Sequence, residues 1–206
     1  MATTTPNYGW TVPTSTDLVK DGATAIETLG DAIDASMNTA LGTKKAGMVL
    51  LNTTSFSGVA SQSINDVFSS TYDNYKILIN TSDSNANGSI LMRMRVSGAD
   101  NTNNEYTRMR IYFDTGNSTA ADNGSTGTSS FLTGNLNTTS GTQTTIELSS
   151  PFLTQRTKHV TFANQTQNGL LVSGTTTVTT SYTGFTLLPL TAVSMTGTVS
   201  VYGYAK

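Results

Sequence analysis

Apolar residues return at every second position through much of the chain after Gly47, and that period admits little but β-strand. Tyr75, Ile77 and Ile79 alternate with Lys76, Leu78 and Asn80; Ile90, Met92, Met94 and Val96 with Leu91, Arg93 and Arg95; Thr107, Met109, Ile111 and Phe113 with Tyr106, Arg108, Arg110 and Tyr112. Strand side chains point alternately to two faces, so each run predicts a half-buried strand. Further candidates are Met48–Leu51, Thr145–Leu148, Lys158–Ala163, Leu170–Val172, Thr175–Ser181, Phe185–Leu190 and Thr196–Tyr204, parted by turn-rich connections at 82–88, 98–104 and 116–130. About nine or ten short strands with no second helix among them predict an antiparallel β-sandwich, jelly-roll-like, over residues 43–206.

One stretch breaks this pattern. From Thr16 to Leu41 the residues Val19, Ile26, Leu29, Ile33 and Ala40, with Gly22 and Ser36 as small members, fall alternately three and four apart. That is a heptad seam, and it predicts a helix over 16–42. Thr16 or Ser15 is the expected N-cap, Asp17 and Asp21 suit the positive end of the helix dipole, and Gly42 is the expected stop, with Lys44 and Lys45 beyond it. Glycines and threonines inside the helix weaken it, so its stripe needs cover, from its own β domain or from further copies. Isoleucine at seam positions and a place between a tail and a globular domain favour a trimeric coiled coil. Residues 1–15 are expected to form an extended arm, because Pro6 and Pro13 bias their predecessors away from helix. The arm carries Tyr8 and the only tryptophan, Trp10, so Pro6, Tyr8, Trp10 and Pro13 are the expected docking residues.

Composition excludes several functions. Charged residues are only 12% and net charge is −2, which gives no general attraction to nucleic acid or an anionic membrane. Hydrophobic residues reach 36%, enough for a core. There is no cysteine, hence no disulfide or thiolate metal site. No run of residues has the character of a signal peptide or a membrane span.

Catalysis finds little footing. His159 is the only histidine, and it is expected on the solvent face of a strand, opposite Val160 and Phe162. No Gly-x-Ser-x-Gly elbow accompanies it. Thirteen acids leave glycoside hydrolysis formally open, without a readable carboxylate pair. Two oxygen-rich loops, Asp83/Asn85/Asn87 and Asp100/Asn101/Asn103/Asn104/Glu105, read either as calcium tips or as ordinary turns. No metal, no cofactor and no enzymatic activity are therefore expected. The most specific chemistry lies in Arg93, Arg95, Arg108 and Arg110. If their strands form a hairpin, one register sets Arg93 opposite Arg110 and Arg95 opposite Arg108, and such a face needs acceptors. Asp100, Glu105 or Asp114, a neighbouring subunit, or an anionic receptor group would serve. For a neutral sugar, Tyr106, Tyr112, Tyr182, Tyr202 and Tyr204 are candidate platforms.

The opening Pro6–Asp17, running into Lys20–Ile26, resembles the start of structural proteins of tailed bacteriophages. Val67–Ile77, Arg93–Gly98 and Gly197–Tyr204 resemble phage fibre-tip modules. The resemblance implies a homotrimeric virion appendage, assembled in the bacterial cytoplasm and exposed on the particle. It would contact other virion proteins through the arm and a bacterial surface glycan through the tip. Two attachments stay open: a tail fibre that binds the host, or a capsid-attached head fibre or decoration protein with a structural role.

Overall fold

The structure, a computed structural model, describes residues 3–16, 18–42, 47–114, 117–138, 140–164 and 168–206. It is mainly β, with antiparallel sheets and one α-helix in a sandwich-like arrangement. The chain divides into two units, Met1–Gly47 and Met48–Lys206.

In the first unit the arm is not extended throughout. β1 (Thr3–Thr4) pairs antiparallel with β2 (Thr11–Val12), and the turn between them uses Gly9 at φ +66°. A 3-10 turn (Val19–Asp21) leads into α1 (Gly22–Met37), which ends in a π-helical turn (Asn38–Gly42). The helix thus starts later than the seam suggests. The Thr16 hydroxyl lies 3.0 Å from that of Thr14 instead of capping, and Asp21 holds the cap position with no side-chain bond. Asp17, Lys44 and Lys45 lie outside the described residues.

The second unit runs β3 (Met48–Val59), β4 (Gln62–Ile64), β5 (Asn74–Ser84), β6 (Gly88–Val96), β7 (Ala99–Asp100), β8 (Tyr106–Asp114), β9 (Asn117–Thr128), β10 (Phe131–Leu136), β11 (Thr142–Ser149), β12 (Lys158–Asn164), β13 (Asn168–Thr176), β14 (Gly184–Pro189) and β15 (Met195–Tyr204). The large sheet has the order β3-β15-β5-β11-β12-β13-β8-β9; the small one has β10-β6-β14-β4, with β7 beside β6. β9 replaces the turn-rich connection expected at 116–130. Its Ser, Thr, Asn and Gly residues carry no apolar period, and pairing with β8 imposes the strand.

The large sheet passes around one edge of the small sheet. β10, at that edge, touches β5, β11, β12, β13 and β8. Ile90, Met92 and Met94 on one face of β6 join Phe131, Phe185, Ile77, Ile79, Val199 and Val201 in the main core. Leu91, on the other face, joins Leu132, Ala163, Leu170 and Val172 in a second, smaller cluster. One sheet therefore packs on both sides of the other.

A corner fixes the end of the main core. The buried Tyr75 ring meets Phe68 edge-on at 4.7 Å, and its hydroxyl accepts from Ser69 N at 2.8 Å and reaches Ser69 O at 3.0 Å. Tyr72 packs on Gly203 of β15, where a Cβ would lie 2.5 Å from Tyr72 Cγ. Gly203→Ala must expel that ring, and urea denaturation is expected to show a loss of about 1–3 kcal/mol with an unchanged slope.

Candidate functional site

β12 reverses the expected orientation of its residues. Its burial alternates so that His159, Thr161 and Ala163 point inward, while Val160 and Phe162 are 50% and 52% exposed. β8 does the same, with Met109 65% exposed. Pairing aligns these residues across three adjacent strands: Val160–Ser173–Met109 in one row and Phe162–Leu171–Ile111 in the next. Phe113 continues the strip, its ring lying over Gly169. The result is an exposed apolar strip on the outer face of the large sheet. It opens at one end into a groove of about 880 Å³ that includes Met109, Val160, Ser173, Thr175, Glu147 and Lys158.

The hairpin of arginines does not form, because β6 belongs to the small sheet and β8 to the large one. Arg95 is engaged within the second unit. It pairs with Asp100, donates to Gly98 O, and reaches Thr186 Oγ1 at 2.7 Å, Asn65 Oδ1 at 2.9 Å and Ser63 Oγ at 3.1 Å. Arg93 donates to Ser129 O at 3.3 Å. Arg108 and Arg110 share one face of β8, and burial followed by the Arg110 charge pulls the Arg108 guanidinium below its ordinary range. The Asp114 side chain, one of the expected acceptors, lies outside the described residues.

The other candidates separate in the same way. Tyr106 and Tyr182 are buried in full and cannot form an exposed platform. Tyr106 Oη donates to Asn101 O and accepts from Met94 N, and burial raises its pKa strongly. Tyr204 donates to Glu147 at 2.7 Å, and that bond pushes its pKa up to about 12. The oxygen-rich loops are cross-linked to the fold: Asn85 Oδ1 accepts from Ser194 N, Asn87 Oδ1 from Thr138 N, and Glu105 takes the amides of Asn101 and Asn103. Among the described residues no three acidic or histidine side chains converge as ligands.

Pairing also builds a site that the linear sequence conceals. Asn80, Gln143 and Asn164 stand in one register row across β5, β11 and β12, all exposed. With Ser82, Ser140 and Thr142 they line a shallow hollow of about 680 Å³ holding only amides, hydroxyls and backbone. Among the described residues no charged one lines it, so it suits a neutral polyhydroxylated ligand better than an anion.

In the first unit Trp10 stacks with Tyr8 at 5.1 Å and donates to Ser36 Oγ at 2.9 Å. The arm thereby covers the Gly22, Ala25, Leu29, Ala32 and Ser36 side of α1, which is half-buried. Val19 and Ile26 remain 96% and 65% exposed; Ile33 is half-buried, and Ala40, in the π-helical turn, is exposed. Pro6 and Pro13 are exposed at the hairpin surface.

Compared with known proteins, the sequence matches no protein-family model and no curated sequence.

His159 is the inward residue with the clearest energetic signature. Its ring packs on Phe131 at 4.4 Å, Nδ1 lies 3.0 Å from Thr161 Oγ1, and Nε2 has no hydrogen-bond partner among the described residues. Burial lowers its pKa to about 4. The folded value is below the unfolded one, near 6.5, so the unfolded chain binds the extra proton between these values. Stability is then full above about pH 6.5 and falls towards pH 4, by up to about 3 kcal/mol. Melting curves across that window should show the loss, and His159→Gln should flatten it.

Proposed function

We propose that this chain is a subunit of a homotrimeric virion appendage of a tailed bacteriophage, a tail fibre whose β-sandwich binds the host cell surface. It acts by binding, without a catalytic step. The observation that carries this reading is the open line of the helix: within the first unit no residue of α1 is buried. Val19, Ile26, Ile33 and Ala40 recur every seven residues, whereas the alternate line, Gly22, Leu29 and Ser36, is the one the arm occupies. A 16-residue helix is marginal in water by itself, so the open line calls for other copies. Isoleucine along it favours three.

The hollow around Asn80, Gln143 and Asn164 supports the adhesive half of the reading. Each amide offers two donors and an acceptor to sugar hydroxyls. Three copies on one particle turn individually weak contacts into firm attachment to a repetitive surface. The hairpin arm, with the stacked Tyr8 and Trp10, is the part that would meet other virion proteins.

Light scattering on the full chain should give a mass near three times 21.7 kDa. Ile26→Asp should shift it towards monomer; a monomer before mutation overturns the trimer. Gln143→Ala combined with Asn164→Ala should slow adsorption of particles to host cells by about tenfold or more. Unchanged adsorption with normal incorporation into particles would point to the purely structural, capsid-attached role.

A further inference from the structure

We propose that the apolar strip on the outer face of the large sheet is the contact between neighbouring copies of the sandwich. The inference rests on the trimer reading and adds a second interface to it, separate from the helix. The six side chains Met109, Ile111, Phe113, Val160, Phe162 and Leu171 are 65%, 39%, 47%, 50%, 52% and 37% exposed. At roughly 200 Å² for a large side chain, they leave on the order of 600 Å² of contiguous apolar surface. That lies at the upper end of what a monomer tolerates as its largest patch. Adding the flanking Thr145, Ser173 and Thr107 brings the face close to the roughly 800 Å² that each partner buries in a standard protein interface.

Charge placement favours a second copy as the occupant. Across β12, β13 and β8 the rows through the strip hold only Ser173, Gly169 and Asn164 besides the apolar residues, none of them charged; Thr145 and Glu147 follow on β11. Depletion of charge at the centre is typical of subunit interfaces. The rim carries both signs. Glu147 stands beside Val160 in register, and Lys158 lies one outward position away on β12. Glu147 is already neutralised within its own chain by Lys76 at 3.0 Å, and at a net charge of −2 the copies repel each other little.

The absence of cysteine from the chain makes the test clean. In the full chain, Phe162→Asp replaces an exposed side chain and leaves the fold unchanged by circular dichroism. Its dissociation to monomer, followed by light scattering over a dilution series, should occur at about tenfold or more higher concentration than in the parent chain. Ser173→Cys adds a single thiol at the centre of the strip. Its reaction with a maleimide should be slow in the assembled protein and become fast when Phe162→Asp is added. A parent trimer in which Phe162→Asp changes neither dissociation nor labelling overturns the strip as an interface and leaves the helix as the trimer's contact. A parent chain that is monomeric, with a fast-reacting thiol, overturns both readings together.

Discussion

The small sheet is too narrow to cover the large one, and the rest of the second unit follows from that mismatch. At the usual strand spacing, eight strands span roughly 34 Å and the four-strand path of the small sheet roughly 14 Å. A half-buried sheet must nevertheless bury one whole face. The large sheet does so by passing around the β10 edge and using both sides of the small one, which divides the core into a main cluster and the Leu91–Leu132–Val172 cluster. At the fold the backbones approach closely. A Cβ at Gly134 would lie 2.7 Å from Thr144 Oγ1, and one at Gly174 would lie 2.6 Å from His159 Nε2. Bulky aliphatic side chains have no room there. The inner face of β12 accordingly carries His159, Thr161 and Ala163, and its large apolar residues turn outward.

That geometry sets what the sequence reveals and what it conceals. Strands of strong period two in the main core, such as Tyr75–Asn80 and Ile90–Arg95, are legible, because their alternate residues gather in one large apolar cluster. β12 also shows a clear alternation, but period alone does not say which set is inside. The usual assumption that Val160 and Phe162 are buried and His159 is wet fails where the sheet bends around β10. β9 escapes notice because nothing in its composition prefers a strand. The arginines mislead for a different reason: equal spacing along two nearby strands suggests a hairpin, yet β6 and β8 part into different sheets. The amide row of Asn80, Gln143 and Asn164 comes from three strands, two of them far apart in sequence from the third, and only strand order brings them together.

The segments that carry the phage resemblance are mostly scaffold. Phe68, Tyr72 and Tyr75 form the corner, Gly203 lies beneath Tyr72, and Gly203 pairs with Tyr75 across β15 and β5. In the Arg93–Gly98 segment, Arg95 braces the Ser97–Gly98 turn, where both residues have positive φ, by donating to Gly98 O and pairing with Asp100. These residues hold the sandwich together. They bear on which architecture the chain adopts, whereas the hollow and the strip, which would meet a ligand or a partner, lie on other residues.

The two open apolar faces also bear on how tightly such an assembly could hold. The uncovered line of α1 has only about two heptads of regular helix, and the sheet strip alone falls short of a standard interface; each by itself would give weak association. Joining the same copies through both contacts incurs the loss of translational and rotational freedom once, so the second contact adds nearly its full interaction energy to the first. A sandwich rich in hydroxyls and amides can then leave the polar hollow uncovered for a ligand, because the assembly does not depend on it. In the proposed assembly, self-association would use the apolar line of the helix and the apolar strip of the sheet, and recognition the row of amides beside it.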